Sequence, residues 1–296
     1  MAGETQSSSL SGTIHTELID TLMTAYAYDD LTITRTFRQA SLVGATTTTQ
    51  QFVRAVKSTG PVAGTPASEV TALAPTEMTT TSTTCAVARV GIAREITDTV
   101  VEDSVFGRAL YTEGFIADAA KLWAEYFDTA SAALFTSISN EVGDSGDALT
   151  VETMVSAVGR QRAAKARGPQ FIALHDNQLK QLQQSQAAAT ATPWAIFYSP
   201  SGDGAQYGGT FMNNPVWASG LVPASTGDRV GCIYSNGNDA GARPEYCSFG
   251  FVYKRMPTSK TETHILMDSI IWASYARTGV VEIIDGFATA IRSVNA

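Results

Sequence analysis

One long stretch of helical periodicity, from Ser104 to Asn140, restricts the folds open to this chain more than any other feature. Apolar residues recur there in steps of three and four, which places them on one face of a helix. This main row is Tyr111, Phe115, Ala119, Leu122, Tyr126, Ala130, Leu134 and Ile138. A second apolar row is Ile116, Trp123 and Phe127, and the remaining side carries Asp118, Lys121, Glu125 and Asp128. We therefore expect a helix on the order of 55 Å long that contacts protein on two sides.

Composition and charge limit the function classes. The 296 residues are enough for two compact units, and the charged fraction of 16% lies below the usual ~25%. Such a surface suits extensive protein contact, and a plain soluble surface is equally compatible with it. The net charge is −8, which argues against non-specific nucleic-acid binding. The basic cluster Arg160, Arg162, Lys165 and Arg167 falls at the end of a predicted helix, where cations suit the helix dipole.

Cysteine usage and hydropathy add two expectations. Cys85, Cys232 and Cys247 form no disulfide framework, so reduced thiols are expected. If Val230–Tyr234 and Tyr246–Phe251 form a hairpin, Cys232 and Cys247 could face each other across it. The first ten residues are polar, which predicts no secretory signal, and no apolar run reaches the ~18 residues of a membrane span.

The first part of the chain has extensions with little core of their own. A short helix is predicted over Thr13–Tyr28, and Leu31–Val43 is predicted to be extended. In Ala45–Ala86, two largely polar strands flank turn-forming glycines and prolines. We interpret this stretch as a projecting β-hairpin that rests on another subunit, since an isolated hairpin is marginal in water. A flexible low-complexity linker is the alternative.

The rest of the chain mixes strands and helices, which predicts an α+β fold. Cys85–Ile96 alternates as a half-buried strand, Thr150 caps a helix to about Lys165, and Gln170–Leu174 is a strand. Asp176 is predicted to cap a further helix, and this alternation suggests a small α/β unit. The other predicted strands are Pro193–Tyr198, Val216–Ala218, Asp228–Tyr234, Tyr246–Tyr253, Thr263–Tyr275 and Val280–Ile284.

A search for chemistry finds no site. No phosphate loop, dinucleotide fingerprint or nucleophile elbow is present. His15, His175 and His264 are isolated, without the spacing that zinc requires. Glu141, Asp144 and Asp147 form an acidic loop for which solvation is a simpler explanation than cation binding. We therefore predict no catalytic residue, no metal site and no cofactor.

The order of these elements resembles the major capsid protein of tailed bacteriophages, with its Hong Kong 97-like fold. The stretch CAVARVGIAREITDTVVED, from Cys85 to Asp103, is similar to the family's strand and acidic short helix before the spine helix. Ser104–Asn140, with Glu125 and Asp128, looks like that spine helix. Leu149–Leu182 resembles the opening of the axial domain, and Asn214-Pro215-Val216 with Leu221-Val222-Pro223 is similar to a later family segment.

The resemblance implies a domain plan. Residues 1–45 would form the N-terminal arm and residues 46–84 the extended hairpin, called the E-loop. Residues 85–149 and 255–296 would form the peripheral domain, and residues 150–254 the axial domain. Six E-loop residues would contact other subunits, namely Phe52, Arg54, Lys57, Gly60, Pro61 and Gly64. A covalent Lys–Asn crosslink is not expected, because Lys57 has no matching asparagine with a nearby catalytic carboxylate.

The implied function is that of a non-enzymatic shell protein. Hexamers and pentamers would form an icosahedral virion capsid around double-stranded DNA, without sequence-specific DNA binding or membrane contact, after assembly in the host cytoplasm. A portal protein and decoration proteins are implied partners. Because the arm begins almost at Met1, any scaffold is expected to be a separate protein or absent. The alternative is an encapsulin, a cellular compartment shell that shares the fold. A soluble enzyme with an α/β domain is a third hypothesis.

Overall fold

A computed structural model describes the polypeptide over residues 31–55, 80–97, 99, 107–166, 169–188, 207–225, 227–235, 247–264 and 269–294. Three sequence predictions lie outside these ranges. They are the helix of Thr13–Tyr28, the strand of Pro193–Tyr198 and the tip of the predicted hairpin.

Helices and strands alternate along the described residues. The α-helices are α1 (Gly107–Ala133), α2 (Val151–Ala163) and α3 (Asp176–Ala188). The first strands are β1 (Arg38–Ser41), β2 (Thr49–Ala55), β3 (Thr80–Ala86), β4 (Ala88–Thr97), β5 (Glu141–Val142) and β6 (Gln170–Leu174). The later strands are β7 (Tyr207–Phe211), β8 (Asn214–Ala218), β9 (Ala224–Ser225), β10 (Asp228–Ser235), β11 (Phe249–His264), β12 (Ser269–Glu282) and β13 (Ala288–Val294). Short 3-10 turns occupy Thr34–Thr36, Leu134–Ser137 and Asp285–Phe287.

These strands form three sheets. A four-stranded sheet has the order β1-β11-β12-β4, and β2 pairs with β3 in a separate two-stranded sheet. A seven-stranded mixed sheet has the order β5-β13-β10-β6-β8-β7, with β9 beside β10. The last strand, β13, therefore belongs to the sheet that contains β6, β8 and β10 rather than to the sheet of β11 and β12. The α+β fold class predicted from the sequence is confirmed.

Helix α1 packs on the four-stranded sheet through the second predicted apolar row, which is Ile116, Trp123 and Phe127. Trp123 and Phe127 are fully buried, and the indole nitrogen of Trp123 donates to the Ser274 hydroxyl at 2.9 Å. Ala120 and Ala124 are buried beside this row, and so is Ala119 of the predicted main row. Because these small residues let the helix approach the sheet closely, Trp123 and Phe127 reach the core, whereas Tyr126 of the predicted main row is 41% exposed. Both rows therefore contribute buried residues, and the second row is the more completely buried.

The helix is also shorter than predicted. It ends at Ala133 in a 3-10 turn, and Ile138 is already extended. The hydroxyls of Thr136 and Ser137 donate to the carbonyls of Ala133 and Leu134. Hydroxyl side chains that bond to nearby backbone compete with the helical pattern, which accounts for the early end. The 27 residues of α1 span about 40 Å.

Several other predictions are corrected by strand pairing. Cys232 lies opposite Ala173 and Ala290, and β11 pairs with β12, so no hairpin joins Cys232 to Cys247. All three cysteines are free and buried, as expected for reduced thiols. The segment predicted as the strand Thr263–Tyr275 includes the end of β11 and the beginning of β12, and Val280 belongs to β12.

Candidate assembly surfaces

The two-stranded sheet of β2 and β3, called the hairpin root below, packs on the rest of the chain through one of its faces. Phe52 of β2 is 6% exposed and belongs to a buried cluster that includes Cys85, Val252 and Ile283. A Cβ atom on Gly250 would lie 2.8 Å from the Phe52 ring, so the glycine makes room for that ring. Most of β3 is exposed or half-buried, and Val53 is 52% exposed. The root is therefore anchored through one face, and none of the described residues covers its other face.

The six predicted contact residues divide into two groups. Phe52 is buried inside its own subunit, and Arg54 is half-buried on the same strand. Lys57, Gly60, Pro61 and Gly64 lie outside the described residues. Phe52 thus anchors the hairpin, and contact of the hairpin with other subunits stays a prediction.

A single carboxylate holds the segment that leads into β1. Asp128 of α1 is 2% exposed. Its Oδ2 accepts a hydrogen bond from the backbone amide of Thr32 at 2.8 Å, and its Oδ1 accepts from the amides of Ile33 at 3.2 Å and Thr34 at 2.8 Å. The Thr34 hydroxyl donates to the same Oδ1 at 2.8 Å. Residues 32–34 are consequently fixed against the side of α1.

This contact corrects the placement of Asp128 on the polar side of the helix. Burial raises the pKa of Asp128, and its hydrogen bonds to residues 32–34 lower it in part. A signal was available in the sequence: small residues flank Asp128 at the helical neighbours Ala124, Ser131 and Ala132. Small residues mark close approach of another segment, which distinguishes Asp128 from the exposed Asp118 and Glu125.

An aromatic cluster joins the two larger sheets. Tyr234 of β10 is 1% exposed, and its ring contacts four phenylalanines, which are Phe37, Phe135, Phe171 and Phe249. These rings come from the segment before β1, the 3-10 turn after α1, β6 and β11. The Tyr234 hydroxyl shares a hydrogen bond with Thr36. Burial raises the pKa of Tyr234, so the phenol is neutral in this cluster.

The potential metal ligands of the described residues do not cluster. The described residues hold no group of three or more His, Cys, Asp or Glu side chains that could bind a metal ion. His175 is 8% exposed, and its Nδ1 accepts a hydrogen bond from the Asn177 amide at 3.0 Å. His175 thus stabilises the start of α3, one residue before the predicted cap Asp176. Burial and the nearby Arg229 lower the pKa of His175, which favours the neutral ring that accepts this bond.

The length and hydropathy of the helices bear on membrane insertion. Within the described ranges, no helix is both long and apolar enough to cross a bilayer.

Comparison with known proteins gives matches at the level of structure. No protein-family model matches the chain, and no curated protein sequence matches it. A chain of the bacteriophage PhiM1 mature capsid is 10% identical with a TM-score of 0.61, and the match covers 90% of this chain and 88% of that one. A capsid chain of the cyanophage P-SCSP1u is 14% identical with a TM-score of 0.58, covering 88% and 87% of the two chains.

The same fold also occurs in a shell named as an encapsulin. A chain of the SrpI encapsulin complex from Synechococcus elongatus PCC 7942 is 9% identical with a TM-score of 0.62, covering 88% of this chain and 86% of that one. Because these matches span nearly the whole chain, they establish that it has the Hong Kong 97-like capsid fold.

Proposed function

We propose that this chain is the major capsid protein of a tailed bacteriophage. Copies of it assemble into hexamers and pentamers that form an icosahedral shell around double-stranded DNA. The observation that carries the proposal is the two-stranded root of β2 and β3. Among the described strands these two pair only with each other, and one face of the root is open for a second copy. Burial of such extensions between subunits offsets the entropy lost in ordering them.

As a domain plan we propose that residues 1–45 form the arm, 46–84 the E-loop, 85–149 and 255–296 the peripheral domain, and 150–254 the axial domain. The last strand, β13, is an exception to this division, because it pairs with β10 in the sheet of the proposed axial part. The role is structural, and no catalytic activity is proposed. The net charge of −8 suits a shell that encloses DNA without adhering to it. Its location is the virion, after assembly in the host cytoplasm, and a portal protein, scaffold and decoration proteins are its further partners.

An encapsulin is the second candidate, and the match to the SrpI complex favours it. The contents of isolated particles distinguish a phage capsid protein from an encapsulin. Particles isolated from the producing cells should hold nuclease-protected DNA if the protein is a phage capsid protein. Particles that hold a packaged protein and no DNA would support the encapsulin.

The test of the proposal uses the loop beyond the root. Because Phe52 is part of the subunit core, a deletion that begins at Gln51 would damage the subunit itself. Deletion of residues 57–78 with a short glycine–serine connection should instead leave a folded subunit with an intact root. We expect wild-type protein to form shells in negative-stain micrographs and the deletion variant to form none. Shells of normal stability from the deletion variant would contradict the role assigned to the hairpin.

A further inference from the structure

The N-terminal end of α2 borders an acidic cavity. The cavity has a volume of about 460 Å³, and its lining includes Asp144, Asp147 and Glu152. These three carboxylates are exposed and form no ion pair or side-chain hydrogen bond with the part of the chain that the structure describes. Arg292 also lines the cavity, but its guanidinium lies 2.6 Å from the Glu141 carboxylate and is neutralised there. The three carboxylates are thus left uncompensated.

The C-terminal end of the same helix is basic. Arg162 and Lys165 are exposed, and neither has a partner side chain within the described ranges. Lys165 has a φ of 58°, and its amide donates to the Arg162 carbonyl at 3.0 Å. Glycine is usual at this left-handed position after a helix, because a Cβ atom is strained there.

Stabilisation of α2 by its own dipole accounts for only part of this charge pattern. The dipole acts within the first and last turns of a helix. Glu152 and Arg162 lie in those turns, but Asp144 and Asp147 precede the capping residue Thr150, and Lys165 follows the helix. The helix dipole therefore does not account for the charges of Asp144, Asp147 and Lys165.

The two ends of α2 lie too far apart to meet within one subunit. A helix of 13 residues is about 20 Å long, so Lys165 cannot contact the acidic cavity of its own chain. In a closed ring, neighbouring copies use different surfaces, so that the front of one copy contacts the back of the next. The opposite ends of α2 are complementary in charge in that arrangement.

We propose that Arg162 and Lys165 of one copy dock at the cavity formed by Asp144, Asp147 and Glu152 of the next copy around each capsomer ring. This inference rests on the proposed function, since it requires rings of this chain. Complementary charges across an interface fix its register and disfavour wrong partners. Contacts of this exposed kind are weakened by salt, because the Debye length falls to about 3 Å at 1 M.

Zero-length crosslinking tests the contact directly. Carbodiimide joins a lysine amine to a carboxylate only when the two are in contact, and it does not couple arginine. In assembled wild-type protein we expect crosslinks from Lys165 to Asp144, Asp147 or Glu152. Mixed light and 15N-labelled subunits should show them between different copies. The matched variant Lys165→Arg should assemble normally and lose these crosslinks.

Charge reversal is the second test of the contact. Arg162→Glu with Lys165→Glu, or Asp144→Lys with Asp147→Lys, should each lower the assembled fraction at low salt at least about ten-fold, because like charges then meet. Combining both pairs of substitutions should restore assembly. Circular dichroism melting of each variant checks that the subunit is folded.

The outcomes separate this inference from the proposed function. If wild-type protein assembles but shows no Lys165 crosslink, or if each reversal assembles normally, the docking contact is overturned and the shell function stands. Salt-sensitive assembly without the crosslink would indicate that other charged contacts govern assembly and would also overturn it. If the wild-type chain purifies only as a monomer, both proposals fail.

Discussion

Oδ1 of Asp128 accepts hydrogen bonds from both the backbone amide and the hydroxyl of Thr34, each at 2.8 Å. The two residues are 94 positions apart in the chain. The contact connects the segment before β1 to the C-terminal part of α1, and the described residues place no cation beside the carboxylate. Among the described residues, only these hydrogen bonds oppose the effect of burial on the charged form of Asp128.

Replacing Asp128 should destabilise the subunit strongly. Asp128→Ala leaves the buried amides of Thr32, Ile33 and Thr34 without acceptors, and each unsatisfied group costs about 1–3 kcal/mol. Removing a buried charge recovers part of that cost, so we expect a loss of about 2–4 kcal/mol in the free energy of unfolding. Urea denaturation measures it. The control Asp118→Ala removes an exposed ion pair with Arg94 and should change stability by less than about 1 kcal/mol. Equal effects of the two substitutions would refute the assigned role of Asp128.

Thiol reactivity should report on the integrity of the fold. Burial raises the pKa of Cys85 to about 11 and raises that of Cys232 as well, and Cys247 is fully buried. Because the thiolate is the reactive form, an aromatic disulfide reagent at pH 8 should modify none of the three cysteines quickly. All three should react in denaturant. Rapid reaction of one thiol in the native protein would contradict its burial.

A pair of glycine substitutions should have opposite effects. A Cβ atom on Gly231 would lie 2.7 Å from Oε1 of Gln178 and 2.8 Å from the Ala173 carbonyl, and that backbone carbonyl has no freedom to move. Gly231→Ala should therefore cost about 1–3 kcal/mol. Gly159 lies in α2, and a Cβ atom there would have no neighbour within 4 Å, so Gly159→Ala should stabilise the protein by about 0.5–1 kcal/mol. Thermal melting of both variants checks the sign of each change.

The stability of the protein should depend on pH through Glu282. Burial raises the pKa of Glu282, and the nearby Asp285 raises it further. The folded state then holds this proton more tightly than the unfolded chain does. The stability contributed by Glu282 is thus fully present below its ordinary pKa and is lost as the pH rises through the raised value.

The variant Glu282→Gln should remove this dependence, because the amide carbonyl still accepts the Ser137 hydroxyl bond. We expect its melting temperature to exceed that of the wild type near neutral pH, with the difference closing toward pH ~4. The exposed Glu262 offers a control in Glu262→Gln, for which no such difference is expected. A constant difference between Glu282→Gln and wild type at all pH values would contradict the assignment.

Local patterns predicted many elements well. Thr150 caps α2 as expected, with its hydroxyl oxygen accepting from the Thr153 amide at 3.2 Å, and Gln170–Leu174 is the strand β6. The two strands of the hairpin root were also anticipated, at slightly different bounds. Each of these elements is specified by residues within a few positions of one another.

Contacts between distant segments were not predictable in the same way. The sequence predicted a break between two strands at Ala276–Gly279, but β12 is continuous there. The reason lies on β3: a Cβ atom on Gly279 would come 2.3 Å from the Ala86 carbonyl. The glycine therefore permits close packing of two strands, and a local pattern cannot distinguish this from a turn. Strand partners such as β10 with β13 are likewise fixed by the whole fold.

The glycines beneath the hairpin root have a consequence for engineering. Gly250 and Gly279 fix Phe52 and Ala86 where the strands leave the body of the protein, so the register of the root is set before the intervening residues begin. The number of residues between β2 and β3 should therefore not affect how the rest of the chain folds. Foreign peptides spliced between Ala55 and Thr80 should leave that body intact, which makes this interval the natural position for displaying an antigen or an affinity tag.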